Sequence, residues 1–422
     1  MRAVMFRPRS ALRRVFVLIV ISSKVHAYSV LSHEAMVDAL WEVRIKAMLL
    51  SQYPNATPDE LKRAHGYAYG GAIIQDLGYY PHGSEQFSDL THYVRPGDFI
   101  MALLHEAKDL DELGFALGAL SHYLGDLDGH RFATNVGEPI LYPKLKKKFG
   151  SVMTYEDKPA FHLKTEFGFD VLEVAKGNFA PQAYHDFIGF YVAKDLIARA
   201  FHDTYGLELS DLFDNFDLSI DSYRSAVSRI IPAATRIAWA QKRTEIQQSE
   251  PGISHKRFVY IMKRSSYEKE WGKRFDEPTV WDKILAFLLR LIPPIGPLQD
   301  LKLKMPTPEV EKLFMDSFSR ASTQYGEKLD AVAAHNLTLT NENYDVGTVT
   351  TVGQYFLDVD IQAFWLHKLA EKKFATLTPP IRSELVSYFG DLSAPMKMKK
   401  QPVAWKQLQS DYAALKASAA AK

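Results

Sequence analysis

The stretch "ALSHYLGDLDGH" at residues 119–130 places His122, Asp126 and His130 at intervals of four in an otherwise apolar segment. On an α-helix, residues four apart lie on one face, stacked one turn above another. His122 and Asp126 can therefore both reach one metal ion, and His130 extends the same stripe by another turn. A single imidazole–carboxylate pair is also explained by a plain hydrogen bond. Predicting a metal site therefore requires further candidate ligands elsewhere in the chain.

A second pair of the same kind follows about forty residues later. In "AFHLKTEFGF" (160–169), His162 and Glu166 are again four residues apart on an apolar segment. Two neighbouring helices that each present such a pair inward form a metal site between them, as helical bundles often do. Further candidate ligands precede both pairs, namely His33, Asp76, His82 and His92.

Composition limits the chemistry of such a site. The chain has 422 residues, 47% of them hydrophobic, and a formal net charge of +1, so no overall charge attracts it to nucleic acid or acidic lipid. It has no cysteine, which excludes disulfides and thiolate ligands. Zinc would have to be bound by His, Asp, Glu or backbone groups, which is the ligand set of catalytic rather than structural sites.

The N-terminus is predicted to be a signal peptide covering residues 1–27. A basic segment, "MRAVMFRPRSALRR", precedes the apolar "VFVLIVISS", and Val25-His26-Ala27 is an acceptable cleavage triplet. Cleavage there would make Tyr28 the first mature residue. The apolar segment is too short to span a bilayer, although an uncleaved anchor is the alternative. We therefore expect export to the periplasm, the cell envelope or the medium.

The remaining chain is predicted to be almost entirely helical. Helical spacing covers 33–50, 109–127, 155–175 and 182–205, with Thr57 and Asp109 as expected N-caps. "NLTLTNENYDVGTVTTV" (336–352) is the nearest approach to a strand pattern.

Domain boundaries are expected at a polar, Pro- and Gly-containing seam near 247–255. We expect a signal peptide at 1–27, a catalytic domain at 28–250 and a helical C-terminal region at 251–422. The apolar "WDKILAFLLRLIPPIGPL" (281–298) is either a core helix or a face that contacts membrane lipid.

Several motifs together resemble the zinc-dependent phospholipase C family. They are "HYLGD" (122–126), "FHLKTE" (161–166), a "D…YY…HY" pattern (76–93) and an early His before a helix, and the resemblance covers roughly residues 28–205. The family shares its fold with single-strand-specific fungal nucleases and with the catalytic domain of glycosylphosphatidylinositol-specific phospholipase D. The resemblance implies an all-α, multi-helix domain, here followed by a C-terminal helical extension.

The resemblance also implies up to three zinc ions and their ligands. Asp76, His92, His122 and Asp126 would hold the first ion; His130, His162 and Glu166 the second; Asp126, His33 and the amino and carbonyl groups of Tyr28 the third. Asp76 is in addition the candidate catalytic residue that orients or deprotonates the attacking water.

The sequence departs from the family pattern at two positions. The first mature residue is normally Trp, where this chain would have Tyr28. The ligand after the bridging Asp usually lies six positions on, where this chain has Phe132, so His130 is assigned instead. His82 is an alternative to His92.

The function predicted is that of a secreted zinc phosphodiesterase of the phospholipase C type. It would hydrolyse a glycerophospholipid to diacylglycerol and a phospho-head-group, with peripheral membrane contact. One alternative is a single-strand-specific nuclease, which near-neutral charge disfavours and the aromatic loop around Tyr79, Tyr80, Phe87 and Tyr93 favours. The other is a metal-binding envelope protein without turnover. The sequence does not indicate the oligomeric state.

Overall fold

The computed structural model describes residues 30–176, 190–227, 304–392 and 395–418, together with positions 239, 243, 244, 247 and 248. Four predicted features lie outside these residues: the signal peptide, Tyr28, the apolar stretch 281–298 and the first part of the helix 182–205. The expected domain boundary at 250 also lies outside them and stays a prediction.

The described chain is built from helices in the following order. They are α1 (Val30–Leu40), a π-helical turn (Trp41–Ile45), α2 (Lys46–Gln52), α3 (Pro58–Ile73), a 3₁₀ turn (Ile74–Tyr79), α4 (Glu85–Tyr93), α5 (Pro96–Glu106), α6 (Leu110–Gly129), a second π-helical turn (His130–Thr134), α7 (Asn135–Leu141), α8 (Pro143–Phe149), α9 (Pro159–Lys176), α10 (Lys194–Tyr205), a 3₁₀ turn (Leu209–Asp211), α11 (Phe216–Ser225), α12 (Pro308–Ala333), α13 (Phe356–Glu371), α14 (Pro379–Phe389) and α15 (Trp405–Ala417).

The predicted all-α class is confirmed. Among the described residues the only β pairing is an isolated bridge between Asn343 and Thr348, inside the stretch that came nearest to a strand pattern. No helix within those residues combines the length and the apolar character needed to cross a bilayer.

Helix starts follow the predicted capping chemistry. Thr57 accepts a hydrogen bond from the backbone N–H of Glu60, whose carboxylate accepts one from the N–H of Thr57 in return. Asp109 caps α6 through the backbone N–H of Glu112. Both caps satisfy backbone donors that a helix N-terminus leaves unpaired. The helix predicted from residue 155 begins later, at Pro159, which suits the first helical position.

The helices α3 and α6 approach each other closely because small residues line their contact. A Cβ built on Gly71 would lie 1.9 Å from the carbonyl oxygen of Phe115, and one on Gly118 would lie 1.9 Å from that of Ala68. Glycine at these two positions lets the two backbones touch. The pair forms the centre of the helical bundle.

The C-terminal helices pack against this bundle and share its hydrophobic core. Phe314 of α12 stacks on Phe169 of α9 with ring centroids 4.4 Å apart. The indole N–H of Trp365 in α13 donates to the carbonyl oxygen of Tyr205 at 2.7 Å. The residues from 304 onward therefore form one packed body with the segment that carries the predicted site.

Candidate metal centre

The structure gathers the candidate ligands into three adjoining groups, all of them buried. The groups are His33, His122 and Asp126; Asp76, His92 and His122; and His130, His162 and Glu166, and within each group the ligand atoms lie within 4.8 Å of one another. Eight of the nine residues expected as ligands are thus brought together, and the ninth, Tyr28, lies outside the described residues.

Asp126 lies at the centre of the three groups. Its two carboxylate oxygens lie 3.1 Å from Nε2 of His122, 3.3 Å from that of His33, 3.5 Å from that of His92 and 3.8 Å from that of His130. Four imidazoles from three parts of the chain therefore face one carboxylate. This is the arrangement expected of a bridging ligand.

His92 and His122 are held by backbone carbonyls behind their rings. Nδ1 of His92 lies 2.7 Å from the carbonyl oxygen of Ser88, and Nδ1 of His122 lies 2.8 Å from that of Ala72. An Nδ1–H that donates to a carbonyl leaves Nε2 as the free lone pair, which is the usual tautomer of a metal-binding His. Both Nε2 atoms point to Asp126, and they lie 3.4 Å from each other.

Asp76 reaches the centre from the 3₁₀ turn that follows α3. Its Oδ1 lies 3.4 Å from Nε2 of His92. The turn is tied to α4 by Ser88, whose hydroxyl donates to the carbonyl oxygen of Gln75 and accepts from the N–H of Gly78. Ser88 thus sets both the turn that carries Asp76 and, through its carbonyl, the ring of His92.

The third group joins α9 to the π-helical turn after α6. Nε2 of His162 lies 2.7 Å from Oε1 of Glu166, and the rings of His130 and His162 meet edge to face with centroids 4.9 Å apart. His130 is buried, whereas Phe132, at the position the family normally uses, is 39% exposed. The geometry therefore brings His130 to this group.

The buried polar atoms of these groups fit bound cations. Oδ1 of Asp76, both oxygens of Asp126 and of Glu166, and Nε2 of His130 are buried and form no hydrogen bond with the described residues. Every buried charged side chain in the described ranges is an acid or a histidine, with no Lys or Arg among them. Buried carboxylates that accept no hydrogen bond are costly, and a divalent cation would compensate their charge.

The pKa shifts reflect the same crowding of charge. Burial raises the pKa of Glu166 well above its ordinary range. Burial also acts to raise the pKa of Asp126, but the neighbouring His122 and His130 outweigh it and hold that pKa well below its usual range. Burial acts to lower the pKa of His92, yet the close carboxylates of Asp126 and Asp76, 3.5 and 3.4 Å from its Nε2, raise it to about 10.

His82, the alternative to His92, is exposed and does not join any of the groups. It occupies a tight turn with φ 62°, in the left-handed region. Its carbonyl oxygen accepts a hydrogen bond from the hydroxyl of Ser219 at 2.5 Å. The geometry therefore favours His92 over His82.

The aromatic residues of the loop pack inside the protein. Tyr79, Tyr80, Phe87 and Tyr93 are all buried, and the ring of Tyr80 stacks on that of Tyr223 at 3.9 Å. The aromatic loop that favours the nuclease alternative in the sequence therefore does not expose its rings.

Three residues beside the centre were missed by sequence reasoning. Oδ1 of Asp345 lies 3.1 Å from Nδ1 of His130, and the ring of Tyr344 lies 5.1 Å from that of His92. Both come from the loop between α12 and α13, and no periodic pattern marks them. Glu138 of α7 is a third such residue, buried 3.8 Å from Nδ1 of His162, and burial raises its pKa to about 8.

Comparison with known protein families matches residues 32–215 to the family described as zinc dependent phospholipase C. These residues form a zinc-dependent phospholipase C domain. The match contains all eight clustered candidate ligands, so the three groups lie within the family's domain. Comparisons with curated proteins and with solved structures gave no match.

The match to this family identifies residues 32–215 as a zinc phosphodiester hydrolase domain. The zinc cofactor agrees with the buried, cysteine-free groups of His, Asp and Glu. The match ends at residue 215, so α11 to α15 and the loop that carries Asp345 lie beyond it.

Proposed function

We propose that the protein is a phospholipase C that hydrolyses a glycerophospholipid to diacylglycerol and a phospho-head-group. The observation that carries the proposal is the convergence of His33, His92, His122 and His130 on Asp126 inside the family-matched segment. Fold and family define the metal chemistry better than the substrate, so the substrate needs its own test.

In this proposal the three groups are the zinc ligands. Asp76, His92, His122 and Asp126 hold the first ion; His130, His162 and Glu166 the second; Asp126 and His33 contribute to the third, together with Tyr28 as the first mature residue. Zinc, when bound, supplies Lewis-acid activation of water near neutral pH and neutralises charge on the phosphoryl oxygens.

Asp76 has the role of orienting or deprotonating the attacking water. Its carboxylate is buried, and its Oδ1 forms no hydrogen bond with the described residues. A carboxylate oxygen that accepts no hydrogen bond from the protein is available to accept a proton. The neighbouring His92, 3.4 Å away, keeps the carboxylate directed into the centre.

The test uses purified protein beginning at Tyr28 and phosphatidylcholine vesicles, followed by phosphorus NMR. We expect phosphocholine to appear, and to stop appearing after treatment with a zinc chelator. A His122→Ala variant, checked for unchanged secondary structure by circular dichroism, should lack the activity. No product from a sample confirmed to contain zinc would overturn phosphatidylcholine as substrate.

Single-stranded DNA serves as the competing substrate in the same assay. The aromatic loop residues that favoured a nuclease are buried, so they do not form an exposed surface on which bases could stack. Chelator-sensitive cleavage of DNA without phospholipid hydrolysis would replace the proposed function with that of a nuclease.

We also propose that the protein is exported by its N-terminal segment and acts at a membrane surface from outside the cytoplasm. The basic and apolar segments before Tyr28 support the export, and the lipid substrate calls for peripheral membrane contact. N-terminal sequencing of protein recovered from the medium or periplasm tests the cleavage after Ala27.

A further inference from the structure

A carboxylate from beyond the family-matched residues contacts one of the candidate zinc ligands. Oδ1 of Asp345 lies 3.1 Å from Nδ1 of His130, and both side chains are buried. Asp345 belongs to the loop between α12 and α13, 215 residues further along the chain. The contact leaves Nε2 of His130 directed to Asp126, at 3.8 Å.

Asp345 is itself held rigidly by its surroundings. Its Oδ2 accepts a hydrogen bond from the backbone N–H of Tyr155 at 2.8 Å and another from the hydroxyl of Tyr355 at 2.7 Å. Its backbone carbonyl accepts from the side-chain amide of Asn135 at 2.6 Å. With one oxygen occupied in this way, the other is fixed in the direction of His130.

His130 differs from His92 and His122 in the group that its Nδ1 atom contacts. The Nδ1 atoms of His92 and His122 contact neutral backbone carbonyls, whereas Nδ1 of His130 contacts a carboxylate. A carboxylate behind a metal-bound His fixes its tautomer and raises its basicity more strongly than a carbonyl does, and this strengthens the metal bond.

We propose that Asp345 is a positioning residue for zinc binding, and that the chain beyond the family-matched segment thereby completes the zinc site formed by His130, His162 and Glu166. Asp345 accepts the Nδ1–H of His130, which keeps the Nε2 lone pair directed to the metal. The inference rests on the proposed function for the zinc centre, but it concerns metal affinity and not the choice of substrate.

The same loop also contacts His92 and His122. It therefore supports candidate ligands in two of the three groups. The ring of Tyr344 lies 5.1 Å from that of His92 and 5.9 Å from that of His122. The backbone N–H of Tyr344 donates to the carbonyl oxygen of His92 at 3.0 Å. Displacement of this loop would therefore disturb both groups, so the test needs substitutions that leave the loop in place.

The test compares full-length wild type with Asp345→Asn, Asp345→Ala and Tyr355→Phe. Zinc content per chain and the zinc dissociation constants are measured by competition with a chromophoric chelator, and zinc-free samples are followed by thermal unfolding. We expect Asp345→Asn to weaken the binding of one zinc ion by about 10- to 100-fold. Asp345→Ala should weaken it further, because Asn keeps an oxygen that can accept from His130. Tyr355→Phe should show a smaller loss in the same direction.

Asp360→Asn is the matched control. Asp360 is buried in the same C-terminal region and accepts backbone hydrogen bonds from Lys399, Lys400 and Gln401, but it does not belong to the three groups. We expect this variant to lose stability while it retains wild-type zinc affinity. Equal loss of zinc in Asp360→Asn and Asp345→Asn would show a general structural effect and overturn the proposal.

Wild-type zinc affinities in folded Asp345→Asn would also overturn the proposal, whichever substrate the enzyme cleaves. If that variant does not fold, Tyr355→Phe decides, since it removes a single hydroxyl. A wild-type protein that binds zinc without phospholipase activity would overturn the proposed substrate and leave this inference standing. A wild-type protein that binds no zinc would overturn both.

Discussion

The Nδ1 atom of His122 lies 2.8 Å from the carbonyl oxygen of Ala72, across the contact between α6 and α3. This distance depends on how closely the two helices approach, and Gly71 and Gly118 set that approach. The orientation of a candidate zinc ligand is therefore coupled to two glycines that lie outside the metal centre.

Gly118→Ala is expected to damage both stability and the metal centre. The added Cβ would lie 1.9 Å from the carbonyl oxygen of Ala68, so the helices must separate. Overpacking of this kind typically costs about 1–3 kcal/mol in the free energy of unfolding. Urea denaturation and the zinc dissociation constant measure the two effects.

Gly326→Ala provides the control for that substitution. Gly326 is also helical, in α12, but a Cβ there would meet only Cδ1 of Leu40 at 3.8 Å, an ordinary contact. Removing a helical glycine where there is room should stabilise the protein by about 0.5–1 kcal/mol. Equal effects of the two substitutions would refute the close-contact explanation.

Asp126→Asn should abolish the metal centre with little change in shape. Asn keeps the size of Asp126 but removes the charge that four histidines face. Substitution of a residue that only orients a metal ligand already weakens metal binding by about 10- to 100-fold. We therefore expect Asp126→Asn to weaken zinc binding by more than about 100-fold. Zinc content after dialysis and phosphodiesterase activity should fall together.

Asp128→Asn is the matched control for Asp126→Asn. Asp128 lies two residues further along α6, and its carboxylate accepts from the amide of Gln324 at 3.0 Å and faces Arg320 at 3.6 Å. It does not belong to any of the three groups. Retained zinc in Asp126→Asn, or an equal loss of zinc in Asp128→Asn, would contradict the central role of Asp126.

Zinc removal should lower the melting temperature of the wild type. The buried carboxylates of Asp76, Asp126 and Glu166 are then left without the charge that compensates them. A ligand present at 1,000 times its dissociation constant stabilises the folded state by about 4 kcal/mol per site. Differential scanning calorimetry with increasing free zinc should show a rising melting temperature. A melting temperature that does not depend on zinc would contradict a centre that binds only in the folded state.

The buried carboxyl group of Asp358 should make the stability of the protein depend on pH, independently of the metal centre. Burial raises its pKa to about 7, against the opposing hydrogen bond from the hydroxyl of Thr350 at 2.7 Å. The folded state therefore binds this proton more tightly than the unfolded state does. The resulting stability is fully present below about pH 4 and is lost as the pH rises toward 7, by at most about 1.4 kcal/mol per pH unit.

Asp358→Asn should remove this dependence. Urea denaturation of wild type and variant at pH 5 and pH 7.5 measures it, and the variant should gain stability relative to wild type as the pH rises. A constant difference between the two proteins over that range would show that Asp358 does not titrate as proposed.

Local spacing was enough to predict much of the centre. A helix places residues four apart on one face whatever surrounds it, so the pairs His122–Asp126 and His162–Glu166 could be read from the chain alone. The all-α class and the capping residues Thr57 and Asp109 follow from similarly local rules.

The tertiary structure was needed wherever residues far apart in sequence meet. It buries His92 and exposes His82, and it directs His130 inward while Phe132 faces outward. It also brings Asp345 to His130, a contact that the sequence could not indicate because Asp345 follows no helical period. Spacing along a helix is determined by the geometry of the backbone, whereas a contact over 215 residues depends on how the helices pack around the common core.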